Sequence, residues 1–370
     1  MPRDPHKGDG DSFDYPDLGA TVYLSAVPAG LAEELPHLYG SLFATAEWFN
    51  IFDETEATGA CVLAAPRHVL LYTQSGDTIE VLNKAFPMPV RDATRTCKAL
   101  FRALPHARRI HLEVLFPPQQ LRLPKRVLVR ADDMVVALPG DAQRYAASLG
   151  KRTRKNLRAY DNRLRRLYPD TATTLLPPGP ESHPLVDQFL AWHLERSRRR
   201  KITSVYVSKP EQRGQLSRLV AEAAETQVTT IAGRPAAIEF IFFVGDSATV
   251  YAGAFDPAYD DVHLGLLSTY WAIREAAARG ARDCHLLWGT SYYKRHLGAE
   301  PVWATRLSIF RSQTARLYSP REAAELFVRR LKSSPEYYWR SRRVARRALD
   351  ALSPRVRAGT STDDRGPAAP

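Results

Sequence analysis

The chain holds three cysteines in 370 residues, Cys61, Cys97 and Cys284. They are scattered and odd in number, which argues against a disulfide framework and against a zinc site. No uninterrupted apolar run approaches the ~20 residues that cross a bilayer. The opening "MPRDPHKGDGDSFDYPD" lacks the apolar core of a secretory signal and reads as a leader. No P-loop, nucleophilic triad, metal-ligand spacing or solenoid-type repeat occurs. These absences lead to the expectation of a chain in a reducing cytoplasm, without a membrane span and without a metal.

What is present is apolar substance and positive charge. Apolar residues make up 44% of the chain and the net charge is +12, carried mostly by arginine. A chain of this length suits two compact domains plus tails. The charge favours anionic partners such as nucleic acid, phosphorylated cofactors or a membrane surface. A high-GC genome that writes arginine at solvated positions gives the same total, so position decides.

Hydrophobic spacing predicts a first domain over 20–140. "TVYLSAVP" reads as a strand, and "PHLYGSLFATAEWFNIFDETEA" has helical spacing through Leu38, Leu42, Phe43 and Phe49. A three-strand meander, a helix ("ATRTCKALFRAL") and further strands follow. A second domain is expected over 141–318. It opens on one long helix, "DAQRYAASLGKRTRKNLRAYDNRLRRL", with an apolar stripe opposite a basic face. Two more helices lead to hairpin strands that turn at Gly233-Arg234 and Gly245-Asp246-Ser247. Helix, strand, short helix and strand complete it. Residues 319–352 read as a basic helical tail, and 353–370 and 1–19 as disordered. The fold class is α+β, a mostly antiparallel sheet flanked by helices.

The stretch "YAGAFDPAYDDVHLGLLSTYWAIREAAARG" sets a polar loop directly before an amphipathic helix. Free backbone N–H groups at such a helix start favour an anion. The plainer reading is that Asp260 or Asp261 caps the helix and nothing binds.

Together, Gly233-Arg234-Pro235-Ala236, Tyr251 to Asp256, Gly265 to Ser268, Gly280 and Gly289 to Lys294 carry a family likeness. With the basic helix "SLGKRTRKNLRAYDNRL", the set resembles the GNAT acyltransferase superfamily, in its FemAB-related branch with CelD-type proteins. The likeness covers about 141–311. The common Gln/Arg-x-x-Gly-x-Gly/Ala fingerprint is absent, and His263-Leu264 stands where relatives often carry a small residue or proline.

The resemblance implies a GNAT-like sheet, with two tandem GNAT-like halves as the expected architecture. It further implies that Ala248–Phe255 and Arg282–Trp288 splay apart, so that an acyl-CoA arm pairs like an extra strand. Acetyl-CoA is then the first donor to consider. The backbone of Val262, His263, Leu264, Gly265 and Leu266 becomes the phosphate cradle, and an amide near Ala254 or Phe255 the oxyanion donor. Lys294 is the side chain expected to stabilise developing negative charge; the alternative is a surface lysine. Tyr259, His263 and Tyr292 are candidate proton carriers, each equally a packing or loop residue. Trp288 walls an acceptor pocket or closes a core. Arg154, Lys155 and Arg158 hold an acidic acceptor or a tRNA, or simply solvate their helix.

Three functions follow. The first moves an acyl group from acyl-CoA to an amine or hydroxyl of a small, carbohydrate or peptide acceptor in an envelope or natural-product pathway. The second is a Fem-type transferase with an aminoacyl-tRNA donor. The third is a non-catalytic basic protein that binds RNA or a membrane surface. Acceptor identity and oligomeric state are not legible in the sequence.

Overall fold

Turn chemistry decides where the strands of the first half begin and end. Strand β1 (Lys7–Gly8) pairs with β2 (Ser12–Tyr15), and β2 with β3 (Ala20–Tyr23). Phe13 and Tyr15, placed by sequence in a leader, pack against the core of this half, so the pairing is bought by apolar contact. Helix α1 (Leu31–Tyr39) ends at Gly40, where φ is +57° and a side chain is disfavoured. The single helix expected here is therefore broken, and α2 (Ala46–Trp48) and a wide turn at Phe49–Asp53 follow. Strands β4 (Gly59–Leu63), β5 (His68–Ser75) and β6 (Thr78–Val81) form the expected meander. Helix α3 (Val90–Ala103) crosses to β7 (Arg109–Val114), parallel to β6, and β8 (Lys125–Ala137) ends the half.

The second half begins with α4 (Ala142–Ser148) and α5 (Lys151–Leu167). One long helix is expected there, but Leu149 and Gly150 are extended (ψ 147° and 144°) and split it. Strand β9 (Ala172–Leu176), α6 (His183–Arg199), α7 (Val205–Ser208) and α8 (Glu211–Ala223) lead into β10 (Glu225–Ile231), β11 (Arg234–Val244) and β12 (Ser247–Phe255). Then come α9 (Leu264–Ala278), β13 (Asp283–Trp288), α10 (Tyr292–His296), β14 (Glu300–Phe310) and α11 (Gln313–Leu317). This computed structural model describes residues 7–8, 12–53, 57–115, 118–289 and 291–317. The basic tail expected at 319–352 and the chain after Ser353 lie outside the described residues.

All strands among the described residues join one 14-stranded, mostly antiparallel sheet in the order β1-β2-β3-β4-β5-β6-β7-β14-β8-β13-β12-β11-β10-β9. Each half repeats one plan: a meander, then a helical crossover to a parallel strand, β6-α3-β7 and β12-α9-β13. The last strands are exchanged. β8 pairs with β13 of the second half, and β14 pairs with β7 of the first. The expected mostly antiparallel α+β sheet is present, with flanking helices on both faces. On one face of the second half α4, α5 and α9 cover Ile241, Val250 and Cys284. On the other, α6 and α8 cover Ile238, Phe240 and Phe242. No helix among the described residues is long and apolar enough to cross a membrane.

Candidate active site

The two halves differ at their parallel strands. In the second half, β12 and β13 pair only at Ser247↔Asp283, Ala248↔Cys284 and Thr249↔His285. From Val250 onward β12 bonds to β11 alone, as far as Phe255↔Ala237, and its other edge is unpaired. Two irregularities produce the parting. Tyr251 is an extra residue in β12, because Phe240 pairs with Ala252 and Ile241 with Val250. In β13 the register against β8 shifts between His285 and Trp288, and Leu287 takes φ +57°. Bulges of this kind bend a strand and end its pairing.

The first half has the same three-pair start, Thr78↔Arg109 to Glu80↔His111, but its opening is filled. Leu82 bonds back to Leu71, the Asn83 amide bonds to Leu71 and Val69, and Phe86 bridges to Val114. At the start of α3 the buried Asp92 carboxylate lies 3.0 Å from Arg95 Nη1 and 3.6 Å from His68 Nε2. An internal carboxylate thus sits where the second half has a free helix start.

That start is built by Asp256, whose side chain accepts from the Ala258 amide (2.9 Å), the turn expected of Asp-Pro. His263 is left-handed (φ +55°) and begins α9. The Leu266 and Leu267 amides turn back onto the His263 carbonyl, whereas those of Leu264 and Gly265 have no backbone partner among the described residues. Val262 and Leu264 are buried in the core. What approaches Gly265 within the protein is the Phe255 ring, which a Cβ there would overlap. Neither nearby acid caps the helix. Asp261 Oδ2 pairs with Arg163 of α5 at 2.8 Å, and Asp260 faces the positive field of Arg196.

The other predicted residues are distributed around this opening. Tyr259 packs edge-on against Tyr168, and burial followed by the Asp256 charge raises its pKa. The exposed His263 ring lies 4.0 Å from that of Tyr160. Ala254 is buried against the α6 face. Trp288, 42% exposed, stacks on Phe43. Tyr292 is 78% exposed, and its ring contact among the described residues is with His296, so it does not join the others. Arg154 donates to the Ala147 and Leu149 carbonyls at the end of α4, while Lys155 and Arg158 are exposed on α5.

Lys294 is not a surface lysine. It is 6% exposed, and its Nζ donates to the Leu287 and Trp288 carbonyls at 3.1 and 2.8 Å, pinning the β13 bulge. Burial pulls its pKa down to about 8, against the raising field of Asp133. Asp133, on β8, lies 2.5 Å from His285 Nδ1, and His285 Nε2 lies 3.3 Å from Asp283. Burial lowers the His285 pKa, but the bonds to Asp133 and Asp283 outweigh it and hold it near 9.

Sequence reasoning missed the main ionisable group of the opening, Glu239 of β11. It is 4% exposed, and the Thr269 hydroxyl of α9 donates to its Oε1 at 2.9 Å. Burial drives its pKa up to about 7, beyond what Thr269, Ser268 and Arg196 take back. It lies across from Gly253 of β12, on the unpaired stretch, and a Cβ there would overlap its carboxylate. Its one visible signal was an acid inside the apolar strand "AIEFIFFV".

Two parted parallel strands, a helix start with free amides beside them and a buried carboxylate at the edge come together in the second half. Residues 151–295 match the family model described as an acetyltransferase (GNAT) domain. The FemX crystal structure aligns with a TM-score of 0.58 at 10% identity, over 80% of this chain and 99% of that one. The structure of L-PGS from Bacillus licheniformis aligns at 0.44 and 12% identity, over 71% and 85%. No curated protein sequence matches the chain. The protein has a GNAT/FemAB-related fold.

Proposed function

We propose that the protein transfers an acyl group from an acyl-CoA thioester to an amine or hydroxyl acceptor, using the second half alone. The observation that carries this reading is the unpaired β12 edge from Val250 to Phe255. Bare strand N–H and C=O groups accept an extended ligand as an added strand. The pantetheine-type arm lies along that edge, and the donor's phosphates meet the Leu264 and Gly265 amides, where the helix dipole favours negative charge. An amide of Ala254 or Phe255 serves the oxyanion. Glu239 accepts the acceptor's proton, because a carboxyl near pKa 7 is matched to that task at neutral pH. Lys294 acts by holding the β13 bulge open. We read the first half as a degenerate copy, its opening filled by Leu82–Phe86.

The second reading keeps the cleft and changes the donor to aminoacyl-tRNA. The FemX likeness supports it at the level of fold, and so does the exposed basic face of α5 at Lys155 and Arg158. Titrating the purified chain with CoA and with charged tRNA, while following the melting temperature, separates the two. Stabilisation by CoA supports the first. Stabilisation only by charged tRNA, with a steep salt dependence, supports the second. Response to neither, with no turnover from either donor, returns the protein to the non-catalytic class.

A further inference from the structure

Helix α6 stops at a turn that leaves an apolar side chain outside. The Lys201 amide bonds to the Arg198 carbonyl and the Ile202 amide to that of Ser197, both at 3.0 Å, with Lys201 left-handed at φ +55°. In a helix ending of this kind the residue after the left-handed one commonly packs an apolar side chain on the last turn. Here that turn offers Ser197 and Arg196, and Ile202 stays 50% exposed.

Helix α7 follows on a fixed support. Ser204 caps it by accepting from the Tyr206 amide at 3.2 Å, and its hydroxyl lies 3.1 Å from His193 Nε2. Tyr206 is buried edge-on against Phe189 and His193, and Arg213 Nε donates to its carbonyl at 2.9 Å. Its neighbours Val205 and Val207 are 42% and 56% exposed. Single apolar residues scattered over a surface need no explanation. Ile202, Val205 and Val207 are instead gathered in one short, anchored corner.

The charge around them has one sign. Residues 198–209 read RRRKITSVYVSK, with five cations and no acid. All five are exposed, and among the described residues only Arg199 is in an ion pair, with Glu195 at 2.5 Å. The α6 dipole accounts for cations at its end, but not for the bare aliphatic groups beyond it. A nucleic acid would use the charge, yet its bases stack on aromatic rings, and the exposed apolar side chains of this corner are aliphatic. Aliphatic groups rimmed by lysine and arginine match the boundary of an anionic bilayer. The former enter the acyl region and the latter meet the headgroups.

We infer that the α6–α7 corner is a membrane-docking surface. Ile202, Val205 and Val207 enter the interface of an anionic bilayer, while Arg198, Arg200, Lys201 and Lys209 meet its phosphate groups. This contact holds the chain on a lipid surface without a spanning helix, and it does not depend on which donor the cleft takes.

Co-sedimentation of the full chain with vesicles tests the assignment, using phosphatidylcholine alone and an equal mixture with phosphatidylglycerol. The wild type is expected to bind the mixed vesicles about tenfold more tightly than the neutral ones, with the difference shrinking in high salt. Two double variants, Ile202→Ser with Val207→Ser and Arg200→Gln with Lys201→Gln, are each expected to lose about tenfold on mixed vesicles. Their melting temperatures are expected to match the wild type, because all four side chains are exposed. Wild-type binding retained by either double variant overturns the surface and assigns the affinity to charge elsewhere in the chain. Equal binding to neutral vesicles overturns it as well. So does a failure to bind any vesicle, whether RNA binds instead or the serine variant dissociates a dimer of the wild type.

Discussion

Glu239 and Gly253 face each other across β11 and β12, and the carboxylate of one fills the space a side chain on the other would need. The carboxylate is thereby held at the edge where strand pairing stops. Gly253→Ala is expected to displace it and to cost about 1–3 kcal/mol, as overpacking of a full interior does. Urea denaturation of the variant measures the loss; an unchanged midpoint would show that Glu239 can move aside freely.

Glu239 also sets a pH dependence. Its carboxyl pKa is raised to about 7 in the folded chain from an ordinary 4.5, so the folded state binds the extra proton between those values. Stability from this group is present below 4.5 and is lost as pH rises through about 7. Glu239→Gln is expected to remove that loss, gaining on the wild type between pH 5 and pH 8 in denaturant melts. The same variant is expected to transfer acyl groups about 10²–10⁴-fold more slowly, with CoA affinity unchanged. Parallel pH profiles for the two proteins would count against the assignment.

Lys294→Met removes both hydrogen bonds to the carbonyls of Leu287 and Trp288. Bonds from a charged donor of this kind contribute about 1.5–3 kcal/mol. The expected result is a destabilisation of that order with faster hydrogen exchange at Leu286–Trp288. Loss of turnover without faster exchange would instead favour direct contact between Lys294 and the reacting atoms.

His285 lies between Asp133 and Asp283, and its pKa is raised to about 9 from 6.5. Its stabilising effect is complete below pH 6.5 and is lost as pH rises through about 9. His285→Asn is expected to be destabilised on the order of 3 kcal/mol at pH 6, with the gap to wild type narrowing by pH 9.5. Thermal melts at the two pH values check the sign.

Much of this fold was legible because turns and periodicity are local. Gly233 and Gly245 mark the hairpins, Gly280 ends α9, and Asp256-Pro257 closes β12 in the expected way. The break at Leu149–Gly150 was hidden inside a continuous apolar stripe. Lys294 was visible as a residue, but its partners are carbonyls on another element, and carbonyls leave no mark in a sequence. Glu239 looked like a strand acid until Gly253 and Thr269 closed over it. The pairing of Asp133 with His285 joins residues far apart in the chain through the exchange of β8, which no local pattern encodes.

That exchange has a practical meaning for anyone wishing to isolate the second half. A fragment starting at Asp141 discards Lys125–Ala137 and leaves β13 bare on one side, with His285 and Lys294 deprived of Asp133. A fragment ending before Asp141 keeps β7 but lacks the strand that shields it. The two halves are thus interdependent rather than separable modules, each completed by a strand that the other supplies.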